Sequence, residues 1–210
     1  MDAKPCLCLG FLLAVSCSAN AGVVYSTIDS TFPNGAGGGW VVGMFLIGGN
    51  LGVAVPFVPL ATTTLSSISV PLTISSSAPY DQLTIQIASG ATSPGTVLES
   101  FPVTFTGYQF VVVDSTIHPA LLAGNKYWVE VMAPDITNTS ALWGWGSLTI
   151  PTGEVATYND FGSGPFWNVQ QGLIPGVEVD DVPEPATGVV FFGLISIGAL
   201  LLRQNRVNPT

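Results

Sequence analysis

The chain has 210 residues, of which 48% are hydrophobic and only 8% charged, with 24 Gly and 16 Pro. That is enough for one well-buried domain once the two ends are set aside, and it is not the composition of a disordered polypeptide. Between the termini a single base, Lys126, stands against eleven acids, a balance that argues against nucleic acid or an anionic membrane face as partner.

The first element is an export signal over residues 1–21: Lys4, the apolar run Leu7 to Val15, then Ala19-Asn20-Ala21. A charged start, a short apolar core and small residues before the cut are what signal peptidase reads, so cleavage is placed after Ala21, with Ala19 and Ala21 as the recognised positions and the Sec machinery as the route. All three cysteines, Cys6, Cys8 and Cys17, fall in the removed piece, leaving the mature chain without disulfide or thiol chemistry. A rival reading takes Ala14-Val15-Ser16-Cys17 as a lipoprotein box with Cys17 lipidated.

Between Gly22 and Asp181 the apolar pattern is mostly of period two, as in Thr84-Ile85-Gln86-Ile87 and Val97 to Phe101, which predicts strands with one buried face. Phe32 to Trp40, with four glycines and Asn34, reads as a flexible loop. Strands are predicted at about 40–47, 52–58, 62–74, 82–88, 96–105, 109–113, 126–133, 141–149, 154–158 and 172–179. Breakers such as Ser75 to Asp81, Ala88 to Gly95 and Ala133 to Ser140 separate them. The only helical feature expected is one turn at His118 to Ala123. Short strands with frequent turns predict an all-β, single antiparallel β-sandwich, jelly-roll-like, over residues 22–178.

Groups able to trade protons are few. The lone histidine, His118, lies close to Asp114 and Ser115, but residues so near in sequence rarely converge on one reacting atom, so a turn histidine is the expectation. Eleven acids make some carboxylate pair inevitable, as a glycosidase requires, and none is marked out. Calcium is conceivable at Tyr158-Asn159-Asp160-Phe161 or Asp180-Asp181, without the spacing of a known calcium loop; no other cofactor or metal is expected. Aromatics are more suggestive. Trp143-Gly144-Trp145 puts both indoles on one strand face by alternation, and Tyr158 and Trp167 follow. These four are candidates for a carbohydrate platform, while Trp128, Trp143 and Trp145 as core filling is the alternative. Asn138-Thr139-Ser140 fits the glycosylation sequon.

The tail, 179–210, opens with an acidic linker and Val182-Pro183-Glu184-Pro185, followed by 17 uncharged residues, 186–202, and then Arg203 and Arg206. Seventeen residues are at the lower end of what spans a bilayer, and the arginines would leave the C-terminus in the cytoplasm. Two prolines around a glutamate make a stiff, unpaired stretch suited to a protease groove. This ordering closely resembles the PEP-CTERM sorting signal of Gram-negative and related bacteria. The resemblance implies that an exosortase, a membrane cysteine protease, recognises Pro183, Glu184 and Pro185 and passes the protein on from the inner membrane to the envelope or exterior. In the body, Ser93 to Leu98 and Leu122 to Val129 resemble the signatures of the choice-of-anchor R type domain, which implies an extracellular all-β domain with no established catalysis. The expectation is a non-enzymatic exported surface or matrix protein associated with exopolysaccharide or biofilm. A carbohydrate-binding module is the alternative, and a secreted glycoside hydrolase the third reading.

Overall fold

The computed structural model describes residues 21–29, 36–43, 51–74, 82–104, 107–134, 140–159 and 166–182, all within one compact unit, Ala21–Val182. The signal segment up to Asn20, the sequon at Asn138, Asp160, Phe161, and the whole tail from Pro183, with its motif, apolar stretch, Arg203 and Arg206, lie outside the described residues. The described residues are all-β and contain no helix. Their strands are β1 (Val23–Ser26), β2 (Ala36–Gly43), β3 (Gly52–Phe57), β4 (Thr63–Ile74), β5 (Gln82–Ser89), β6 (Thr96–Thr104), β7 (Tyr108–Asp114), β8 (Ala120–Leu121), β9 (Tyr127–Met132), β10 (Ser140–Trp145), β11 (Thr152–Asn159), β12 (Phe166–Leu173) and β13 (Glu178–Asp181).

These strands make two antiparallel sheets. The first is organised on β4, whose 12 residues are long enough to be paired twice along each edge. One edge carries β8 and then β7, and the other carries β13 and then β10. Beyond these, β1 extends β13 and β2 extends β10. The second sheet runs β12-β11-β3-β9-β5-β6. Alternation turns Val53, Val55, Ile85, Ile87, Val129, Val131 and Val155 of the second sheet onto Val42, Leu65, Ile68, Val70, Leu72 and Val179 of the first, in one continuous core. Each such side chain contributes roughly 1.5–3 kcal/mol by leaving water.

Five segments differ from expectation. Ala36 to Trp40, expected as loop, belongs to β2: a β-carbon at Gly39 would collide with the carbonyl oxygen of Trp143, so the glycine is what lets β2 approach β10. The turn expected at His118 to Ala123 is not helical; Leu121 is fully buried and its short strand β8 pairs with Thr63. A strand absent from the prediction, β1, is held by β13, and β12 precedes the strand expected at 172–179, which is instead interrupted between Leu173 and Glu178. The acidic stretch expected as linker is β13 itself. Its apolar Val179 faces the core while Asp180 accepts from Ser67 Oγ at 2.8 Å and Asp181 accepts from Thr63 Oγ1 at 3.1 Å.

Candidate functional site

The second sheet carries an outward face that is not built like a solvated surface. In β9 the odd-numbered Tyr127, Val129 and Val131 enter the core, so Lys126, Trp128, Glu130 and Met132 project outward in a column. The neighbouring strand β3 presents only Gly52, Ala54 and Pro56 on that side, and β11 presents Glu154, Ala156 and Tyr158. The space over the small residues of β3 is filled by their taller neighbours, Met132 lying over Gly52. Ala54, Ala156 and Trp128 are completely buried, with Trp167 and Val169 of β12 packed against them.

One end of this face carries an ion pair. Lys126 Nζ lies 2.8 Å from Glu154 Oε2, reaching over the intervening strand, and sits 5.4 Å from the centroid of the Trp128 ring. The Trp128 indole is pinned by its Nε1–H donating to the Gly90 carbonyl at 2.8 Å. Behind Lys126 lies an open hollow of about 380 Å³ lined by Ser89, Gly90, Ala91, Gly124, Asn125 and Tyr127. Toward the other end, Tyr158 and Trp167 are cross-strand partners with ring centroids 5.0 Å apart and planes inclined by 53°. Both rings are half-buried, so each keeps an accessible part.

Inside this frame stands Glu130, which is 3% exposed. It faces Ala54 on one side and Gln86 on the other. The Gln86 amide donates to Ser100 Oγ at 3.0 Å, and no hydrogen bond or ion pair reaches the Glu130 carboxyl among the described residues. Burial without compensation pushes its pKa up to about 7. The other buried glutamate, Glu99, has the opposite fate. Burial alone would raise it, but bonds from Ser115 Oγ (2.6 Å), the Thr116 amide (2.8 Å) and hydroxyl (3.0 Å), and the Ile117 amide (3.3 Å) together hold it below the ordinary carboxylate value.

The four aromatic candidates are thus separated. Tyr158 and Trp167 come together on the outward face. Trp143 points into the core with 0% exposure, its Nε1–H donating to the Gly176 carbonyl at 2.7 Å, and offers no face to a ligand. Trp145 is half-buried on the first sheet, beyond a register shift that follows Gly144; its indole lies over Gly38, where a β-carbon would come within 2.7 Å of Nε1. Around His118, the Ser115 hydroxyl is given to Glu99, the His118 amide donates to Ser115 Oγ at 2.9 Å, and the ring Nδ1 lies 2.9 Å from the Leu65 carbonyl. The group anchors a loop, with His118 at φ 47°. No cluster of three or more His, Cys, Asp or Glu side chains placed to hold a metal occurs among the described residues.

Trp128, Glu130, Lys126 and Gln86 were not among the sequence candidates. A signal for them exists: in Lys126-Tyr-Trp-Val-Glu-Val-Met132 an acid interrupts an otherwise apolar strand. No protein-family model matches this chain, and no curated protein matches it either.

Proposed function

We propose that the chain is an exported bacterial surface protein without catalytic activity, whose body is a jelly-roll sandwich and whose tail is a sorting signal. The observation that carries this reading is the ordering Pro183-Glu184-Pro185, 17 uncharged residues, then Arg203 and Arg206, with its likeness to the PEP-CTERM signal. In this reading signal peptidase cuts after Ala21, the tail holds the protein in the inner membrane for a time, and an exosortase then passes it to the envelope or an exopolysaccharide matrix. The structure of the body is compatible with both cuts. Among the described residues the last strand, β13, ends at Asp181, and the Val182 amide donates to the Thr64 carbonyl at 3.0 Å, so cleavage at or beyond Pro183 would sever none of the described sheet pairing. At the other cut, the Gly22 amide donates to Asp181 Oδ1 at 2.5 Å, an arrangement that would receive the α-ammonium formed there.

The jelly-roll reading is supported by connectivity. The order β2-β10-β4-β7 faces β3-β9-β5-β6, and the chain passes between the sheets at every step except the hairpin β5–β6. In this reading β8, β11-β12 and β13-β1 are additions to those eight strands. The commitment of Ser115 to Glu99 instead of to the His118 ring argues against a nucleophilic trio of Asp114, Ser115 and His118. Intact mass of the protein from envelope and medium tests the sorting: a chain beginning at Gly22 and ending near Pro183 to Thr187 is expected, and a chain running through Thr210 would overturn it. Replacing Glu184 and Pro185 by alanine should strand the protein in the inner membrane.

A further inference from the structure

We infer that the edge of the first sheet at β7 is a self-association surface, which pairs antiparallel with β7 of a second copy of this chain. The inference begins with backbone groups that the fold leaves unused. The Ser115 amide donates to the Ser66 carbonyl at 2.7 Å and Asp114 stands opposite Ser67, so by alternation Gln109, Val111 and Val113 are the residues that bond β4. The N–H and C=O groups of Tyr108, Phe110, Val112 and Asp114 therefore point away from β4, and no strand pairs with them among the described residues. Because Val111 and Val113 fill the core, these same four residues turn their side chains to the outer face. Tyr108 is 38% exposed and Val112 59%, and Phe110 stands half-buried between them, its ring 6.2 Å from that of Tyr108. Free backbone groups and an accessible apolar stripe thus coincide on one strand.

An open, uncharged edge is a template for another strand, and the other edges of the sandwich are short, broken or capped. β6 carries Glu99, Pro102 and a register shift against β5, and β1 has four residues and a shift of its own. The register of β2 on β10 breaks beside Trp145, and its Trp40 caps the end of β12, Nε1–H donating to the Leu173 carbonyl at 2.7 Å. Along β12 the exposed Asn168, Gln170 and Gln171 replace an apolar stripe. In β7 the register is regular and the run from Tyr108 to Val113 has neither charge nor proline. The strand's own sequence fits this edge. The body sets eleven acids against Lys126, so two copies repel over most of their surfaces. In antiparallel overlap about Val111, Phe110 meets the second copy's Val112 and Val112 meets its Phe110, an aromatic and β-branched pair on each side of the two-fold axis. Each Asp114 then falls opposite a tyrosine, Tyr108, and the two carboxylates lie about 20 Å apart at roughly 3.4 Å per residue. Parallel overlap would instead place Asp114 against Asp114. The inference is independent of the sorting proposed above.

The test is sedimentation equilibrium of the exported protein from about 10 μM to about 1 mM, with amide hydrogen exchange measured at both ends of that range. A dimer is expected at high concentration. The Phe110 and Val112 amides should exchange at least tenfold more slowly there than at low concentration, while the Val111 and Val113 amides are slow at both. Val112→Lys, at an exposed position, should weaken association at least tenfold. Val112→Pro should do the same, since the N–H it removes bonds nothing in β4. Leu60→Lys, which removes an apolar side chain that is 97% exposed elsewhere on the surface, should change nothing. Melting curves show which variants fold; should Val112→Pro fail to fold, Val112→Lys and the exchange pattern of the wild type report the same pairing. Three results would each overturn the inference. One is a protein that stays monomeric at about 1 mM. Another is association that Val112→Lys leaves intact, as contact through the tail would be. The third is Phe110 and Val112 amides that are slow at every concentration, as cover by the chain's own residues would make them.

Discussion

Replacing Glu130 with Gln should stabilise the domain at neutral pH and leave it unchanged in mild acid. The carboxyl has an ordinary value of 4.5 and is pushed up to about 7 in the fold by burial. Between those values the folded protein holds a proton that the unfolded chain has released. Stability therefore falls as pH rises from about 4.5 to about 7, and this group adds no further slope above or below. At about 1.4 kcal/mol per pH unit the loss amounts to roughly 3 kcal/mol, an upper figure because water entry and local relaxation reduce it. For a domain of this size roughly 3 kcal/mol corresponds to a fall in melting temperature of about 6–12 °C.

Glutamine keeps the shape and removes the titration. The assay is thermal or urea unfolding of wild type and Glu130→Gln at half-unit steps from pH 4.5 to 8. The two curves should coincide near pH 4.5 and diverge until about pH 7, the wild type being the less stable. The difference curve isolates this group from others that titrate in the range. The charges on the elements around it, Lys126 on its own strand and Glu154 on β11, are paired with each other and persist in the variant. Parallel curves, or a wild type no less stable at pH 8 than at pH 5, would mean that the carboxyl is hydrated or paired and that the reasoning is wrong.

Trp143→Ala should cost about 3–5 kcal/mol, read from urea midpoints, because a fully buried indole is lost and the Gly176 carbonyl forfeits its donor; Trp145→Ala should cost clearly less. Glu99→Ala should cost about 1–3 kcal/mol at pH 7. Because Glu99 is held below its ordinary value, that difference should shrink as pH falls through the acid range, which acid unfolding curves would show. Lys126→Met, removing a pair that is about a quarter exposed on each side, should change stability by no more than about 1 kcal/mol. A chain ending at Val182 should melt like the full mature chain, whereas one ending at Val177 loses β13 and the bonds to Ser67 and Thr63 and should melt substantially lower.

The period-two pattern made the strands legible wherever one face is apolar and the other polar, as in β5 and β6. It failed where position in the sheet outweighs local pattern. The glycine run of β2 has almost no side chains to alternate, and only the close approach to Trp143 shows why it is a strand. The acids of β13 look like a linker until Ser67 and Thr63 are seen to bond them. For the site, sequence could name Tyr158 and Trp167 but not pair them, since their contact depends on the β11–β12 register, eight residue pairs long. Trp143 shows the converse: same-face alternation was a sound premise, but which face is inward is decided by the other sheet.

The two buried glutamates separate structural from functional burial in one molecule. Glu99 receives four hydrogen bonds from a single loop, so its burial is compensated and its removal should loosen that loop. Glu130 stands between valines on β9, where apolar neighbours pack without cost, yet no compensating bond reaches it among the described residues. A strand selected only for stability would have an uncharged side chain there, and Glu130→Gln is expected to be the more stable protein at pH 7. Local rules broken without a structural return mark the places where function constrains a sequence. On this fold Glu130 is such a place, whereas the His118 loop and the Trp143 strand commit their polar groups to structural bonds.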